Sequence, residues 1–186
     1  MFVRSLSIGV AAAALLAGGA QAADLIIPTT PQPIYEAAGF DWEGMYAGVR
    51  AGGVFMDEED TSGVVGGVVG INFMPADAFL AGVEVTGDYV WGDDSEDRGE
   101  FFANVRAGAV VTDAALVYAI AGVGVDATED DDSHALYQLG GGVEFMATDT
   151  VSVRGEVVGI GQFDADGGDD YFFENAKATV GVFYHF

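Results

Sequence analysis

The sequence predicts an all-β fold, a closed antiparallel transmembrane β-barrel of about eight strands, and three observations predict it. Apolar and polar residues alternate with period two along most of the chain, as in a strand whose faces meet different surroundings. Each alternating run is long enough for a tilted membrane crossing of roughly 9–11 residues. Short turns and longer acidic loops follow the runs in strict alternation, the asymmetry of outer-membrane barrels.

Composition narrows the functional classes. The 186 residues fit one domain. Hydrophobic residues make up 51% of the chain, too many for a disordered segment. Against that apolar content stand 30 Asp plus Glu and only 6 Lys plus Arg, a formal charge of −24. Such a charge repels phosphates, so nucleic acid is not an expected partner. No cysteine is present, which removes disulfides, thiolate catalysis and Cys-ligated metals.

The first element is a secretory signal over residues 1–22. Arg4 supplies a weakly positive start, Ile8 to Ala20 an apolar stretch too short to span a bilayer comfortably, and Ala20-Gln21-Ala22 a small-x-small cleavage site. No cysteine follows it, so a lipoprotein anchor is excluded. Residues 23–39 carry Pro28, Pro31 and Pro33 and read as an extended, Pro-rich periplasmic leader. Residues 40–186 form the expected outer-membrane barrel domain. No run of eighteen apolar residues occurs in it, which excludes a transmembrane helix.

Eight strands are expected at Trp42–Phe55, Gly63–Met74, Phe79–Trp91, Glu100–Val111, Leu116–Asp126, Ala135–Ala147, Val151–Phe163 and Asn175–Phe186. Tight turns follow the second, fourth and sixth: Met74 to Ala78 with Pro75 inside it, Thr112 to Ala115, and Thr148 to Thr150. Acidic loops follow the others, around Asp57 to Asp60, Asp93 to Asp97, Glu129 to Asp132 and Asp164 to Glu174.

Charge position is the sharper test of the register. One face of the strands, including Val49, Val69, Val85, Val105, Val123, Val143, Val157 and Val180, contains no charged residue. The opposite face holds Arg50, Glu84, Asp88, Glu100, Arg106, Asp126, Glu144, Arg154, Glu156, Lys177 and His185. A soluble antiparallel sandwich also alternates, with its polar face in water, and is the competing fold. Aromatics gather at strand ends, among them Trp42, Tyr46, Phe55, Phe73, Phe79, Tyr89, Trp91, Phe101, Tyr137, Phe145, Phe163, Tyr184 and Phe186. Amphipathic rings settle at membrane interfaces, so they are expected to form two girdles.

Two motifs carry a family resemblance. The final strand, Ala176-x-Ala178-x-Val180-x-Val182-x-Tyr184-x-Phe186, resembles the C-terminal signature read by the barrel-assembly machinery of Gram-negative bacteria. The opening Phe40-Asp41-Trp42-Glu43-Gly44-Met45-Tyr46-Ala47-Gly48 resembles that of the alphaproteobacterial eight-stranded outer-membrane proteins, often labelled porin-like or opacity-type. The resemblance implies a location, the cell outer membrane with its lipid and lipopolysaccharide, and an assembly role for Tyr184 and Phe186. It implies no chemistry.

For catalysis the only histidines are His134 in an acidic loop and His185 at the opposite end, so no His/Ser/carboxylate site is expected, and neither an enzyme nor a cofactor. The inward charges Arg50, Glu84, Arg106, Glu144, Arg154, Glu156 and Lys177 are expected to form a lumen network, with Glu144 and Arg154 paired across a turn. Asp88, Glu100 and Asp126 are left towards the outer rim. An eight-stranded interior is only wide enough for side chains, so the network reads as a plug, with a narrow ion or solute path as the alternative. The acidic loops lack the EF-hand pattern, so no metal site is expected beyond nonspecific divalent cations. A structural protein displaying acidic loops is the functional expectation, with a narrow channel or a surface adhesin as alternatives.

Overall fold

The computed structural model describes residues 40–55, 61–92, 97–127, 134–163 and 175–186. The secretory signal, the leader and most of the four acidic loops lie outside the described residues. Eight antiparallel strands close into a barrel in sequence order: β1 (Gly44–Phe55), β2 (Thr61–Ala76), β3 (Phe79–Trp91), β4 (Arg98–Thr112), β5 (Ala115–Ala127), β6 (Ala135–Met146), β7 (Val151–Gln162) and β8 (Asn175–His185). β8 returns to β1, with Tyr46 opposite His185 and Phe55 opposite Ala176. Closure leaves no edge, so every strand finds ladder partners on both sides. The sandwich alternative is thereby excluded, because a sandwich keeps edges.

Strand bounds move by at most two residues from those expected, and those of β3 do not move. Two shifts have a local cause. β2 runs on through Pro75 to Ala76 with a register irregularity after Phe73, so the proline sits at a strand end where no ladder N–H is needed. β4 has a similar irregularity after Val110. The turn beyond β4 is closed by Thr112, whose hydroxyl oxygen accepts from the Ala114 N–H at 3.3 Å; Thr148 does the same for Val151 at 3.1 Å after β6.

The uncharged face points outward. Val49, Val85, Val105, Val123, Val157 and Val180 are 57–66% exposed, and the aromatics Phe55, Phe73, Phe79, Phe101, Phe145 and Phe163 are comparably open. In water, leaving one large apolar side chain exposed forgoes roughly 1.5–3 kcal/mol. Repeated around a whole barrel, that cost would exceed the 5–15 kcal/mol by which a domain is usually stable. Hydrocarbon around the barrel removes the conflict.

Two aromatics depart from the expected girdles. Trp42 is 3% exposed and Tyr46 fully buried, both inside the barrel. Their positions share parity with Arg50, so the alternation that turns Arg50 inward turns them inward as well. Gly44 stands between them with φ of 118°, a conformation L side chains rarely adopt. There the chain passes from the lumen into the wall.

Candidate functional site: a charged lumen

The inward residues meet as two linked clusters. At the turn end, Glu144 on β6 and Arg154 on β7 are cross-strand partners, and Arg154 Nε donates to Glu144 Oε2 at 3.0 Å. The same carboxylate oxygen accepts from Arg106 Nη2 at 2.9 Å. Arg154 also reaches Glu84 across the lumen, Nη1 to Oε2 at 2.9 Å, while Arg106 lies 3.7 Å from it. The Tyr46 hydroxyl donates to Glu84 at 2.6 Å. Two arginines thus share two glutamates from four different strands.

Nearer the loop end, Arg50 forks onto Asp88, with Nε and Nη2 at 3.0 and 2.7 Å from its two oxygens, and places Nη1 2.9 Å from Glu156. Tyr118 donates to the other oxygen of Glu156 at 2.6 Å. Lys177 bridges Asp88 and Glu100 at 2.7 and 2.8 Å, and Arg98 closes the series on Glu100 at 3.0 Å. The Arg106 guanidinium lies 4.1 Å from the Tyr118 ring centroid and joins the two clusters by a cation–π contact.

Every expected network residue is brought inside: Arg50, Glu84, Arg106, Glu144, Arg154, Glu156 and Lys177 are each 4% exposed or less. Asp88 and Glu100, expected towards the outer rim, do lie near the loop end but join the network: both are buried, and both accept from Lys177, which reaches from β8 to β3 and β4. Asp126 is rim-side, accepting the His134 N–H at 2.6 Å. Tyr184 and Phe186 face outward at the turn end, 49% and 79% exposed.

Contrary to the sequence expectation, a His/Ser/carboxylate cluster does form. Ser152 donates to Glu144 Oε1, and His185 Nε2 lies 3.0 Å from Ser152 Oγ and 3.3 Å from the same carboxylate oxygen. Its geometry opposes nucleophilic catalysis. Glu144 receives two guanidinium bonds and acts as acceptor, so Nε2 carries the hydrogen and cannot take one from Ser152. In a triad the carboxylate orients Nδ1, whereas His185 Nδ1 has no partner among the described residues. Ser152 is fully buried as well, out of reach of a substrate.

A repeat that sequence reading missed organises the site. Tyr46 faces Gly70, which faces Glu84; Tyr118 faces Gly142, which faces Glu156. The second set follows the first at a constant interval of 72 residues, and each phenol meets a carboxylate 38 residues further on. Each glycine is the seat of a ring. A Cβ on Gly70 would stand 2.4 Å from the Tyr46 ring, and one on Gly142 2.5 Å from the Tyr118 hydroxyl. The signal was readable in the spacing: Asp77 and Asp149, Phe73 and Phe145, and Met74 and Met146 keep the same interval.

The model of the outer membrane protein beta-barrel domain family matches residues 10–186, nearly the whole chain. The chain belongs to this family. Solved structures agree on the fold. The N-terminal β-barrel domain of Pseudomonas aeruginosa OprF is 16% identical with a TM-score of 0.50, covering 77% of this chain and 99% of that one. Neisserial surface protein A is 10% identical with a TM-score of 0.53, covering 76% and 96%. No curated protein sequence matches the chain. The eight-stranded closed barrel is therefore an outer-membrane protein architecture, and its valine-rich outer face is the lipid-facing one.

Proposed function

We propose that this outer-membrane barrel is a structural component of the membrane, its lumen plugged by the charge network, displaying four acidic loops on the far side from its short turns. The mutual pairing of nine nearly inaccessible lumen charges carries the reading. Four cations (Arg50, Arg106, Arg154, Lys177) are distributed over Glu84, Asp88, Glu100, Glu144 and Glu156, and all but Arg106, which has one at 2.9 Å, make at least two contacts of 3.0 Å or less. An ion crossing the lumen would have to displace these contacts. Each of these pairs is held in low dielectric, where removing one partner alone costs about 3–5 kcal/mol.

Cleavage of residues 1–22 would leave the leader and both barrel termini on the periplasmic side. Outward-facing Tyr184 on β8 and Phe186 just after it are the proposed contact for the barrel-assembly machinery. Lipopolysaccharide and lipid are the proposed neighbours of the wall, with divalent cations bridging the acidic loops nonspecifically. The protein is not proposed as an enzyme, since His185 faces Ser152 as a donor.

Two measurements test this reading. Detergent-extracted protein should run at different positions on gels before and after boiling, as closed barrels do. Protein folded into planar bilayers near neutral pH should carry no steady current. Steady wild-type channels would replace the plug with the narrow-channel reading.

A further inference from the structure

Phe40 and Trp42 lie ahead of β1, yet both are buried, at 7% and 3% exposure, inside the mouth of the barrel at its turn end. They pack edge-on against each other, with centroids 4.7 Å apart, and both rings present edges to His185, at 4.7 and 6.1 Å. Leu80, Leu116, Met74 and Met146 complete an apolar collar around them. One polar strut holds the segment: Asn72 Nδ2 donates to the Trp42 carbonyl at 3.1 Å. Glu43 turns outward instead and accepts the Met74 N–H at 3.0 Å. The bend that sends this segment into the lumen is the positive-φ position Gly44.

The seat is built from both ends of the barrel sequence. His185 stands opposite Tyr46 across the β1–β8 seam and stacks on its ring, and the Phe186 N–H donates to the Met45 carbonyl at 3.0 Å. Until β8 has closed on β1, the floor against which Phe40 and Trp42 pack does not exist. From this arrangement we infer that Phe40 and Trp42 form a stopper, hinged at Gly44, that seals the turn-end mouth of the lumen and seats only once the barrel has closed. It covers the Glu144–Ser152–His185 cluster from solvent. The inference goes beyond the charge plug and stands apart from it: bilayer current tests the plug, whereas access to the covered cluster tests the stopper.

The absence of cysteine makes that access measurable. Ser152→Cys places a single thiol beneath the stopper, in protein folded in detergent so that both mouths meet solvent. Its reaction with a small charged methanethiosulfonate should be slow, and about tenfold or more faster once Phe40→Ala and Trp42→Ala are added, since thiol reactivity follows exposure. Equal rates in the two folded proteins, fast or slow, would overturn the stopper. Should the double variant not fold, the native stopper is read directly, because the chain has two tryptophans. Trp91→Phe leaves Trp42, which should resist both acrylamide and brominated phospholipid in vesicles. Trp42→Phe leaves Trp91, 42% exposed on the outer face, which brominated lipid should quench. Quenching of Trp42 by either agent to the extent seen for Trp91 would overturn the proposal. So would shielding of Trp42 from acrylamide before the gel-shifted folded form accumulates during refolding from urea.

Discussion

Arg50 and Glu156 lie 106 residues apart in sequence, and Arg50 Nη1 stands 2.9 Å from Glu156 Oε1 inside the barrel. The same guanidinium forks onto Asp88, so one side chain on β1 fastens β3 on one side and β7 on the other. The contact ties three strands together through the interior. Lysine has no planar fork and cannot make both contacts in this geometry. Arg50→Lys should therefore lower the urea midpoint of detergent-folded protein, and Arg50→Ala should lower it further by leaving Asp88 and Glu156 short of a partner.

Arg154 tests the price of an unpaired carboxylate. Arg154→Ala removes contacts to both Glu144 and Glu84 and should cost about 3–5 kcal/mol. Changing Glu144→Leu together with Arg154→Leu should recover part of that loss, but not all, because Arg106 also depends on Glu144. Urea denaturation of the three proteins decides it: a double variant less stable than Arg154→Ala would reverse the expected order.

The glycine seats predict matching defects in the two halves of the barrel. Gly70→Ala and Gly142→Ala each drive a Cβ into a buried tyrosine, and overpacking of this kind costs about 1–3 kcal/mol. Tyr46→Phe and Tyr118→Phe keep the rings but strip a hydrogen bond from Glu84 or Glu156, about 1.5–3 kcal/mol for a bond to a charged group. Similar losses within each pair of variants are expected; a Gly70→Ala protein as stable as wild type would remove the seat.

The wall and the lumen should respond oppositely to polarity. Val123 is 57% exposed on the lipid face of β5, where an arginine near the bilayer midplane costs about 2–4 kcal/mol. Val123→Arg should reduce the heat-modifiable folded band. Thr86 is fully buried in the lumen and its hydroxyl has no hydrogen-bond partner among the described residues. Thr86→Val should be neutral or stabilising, since it removes a buried unsatisfied group at nearly constant volume.

The register of the barrel was legible because period two leaves each strand only two choices, and one face of every strand is free of charge. Glu144 with Arg154 was legible for the same reason, being a neighbouring-strand rung beside a short turn. The pairing of Asp88 and Glu100 was not, because their partner Lys177 reaches them across the lumen from a strand adjacent to neither, and such reach is not written in strand adjacency. Trp42 and Tyr46 were misread on residue type: aromatics near strand ends suggest an interface, whereas their parity with Arg50 already placed them inside. The Ser152–His185 contact joins adjacent strands, yet the functional reading considered the two histidines as a pair at opposite ends and passed over the serine between them.

Lys177 and the arginines of the barrel have a practical consequence. Of the chain's six basic residues, Arg4 belongs to the expected secretory signal and four are lumen side chains, leaving Arg98, 19% exposed, at the loop rim. The acidic loop sequences contain no lysine or arginine. Trypsin therefore has almost nowhere to cut the folded protein, and shaving intact cells with it should leave the displayed loops in place. A protease specific for glutamate would meet Glu58, Glu59, Glu96, Glu129 and Glu174 in those same loops, so the two enzymes together would report which side of the membrane the loops occupy.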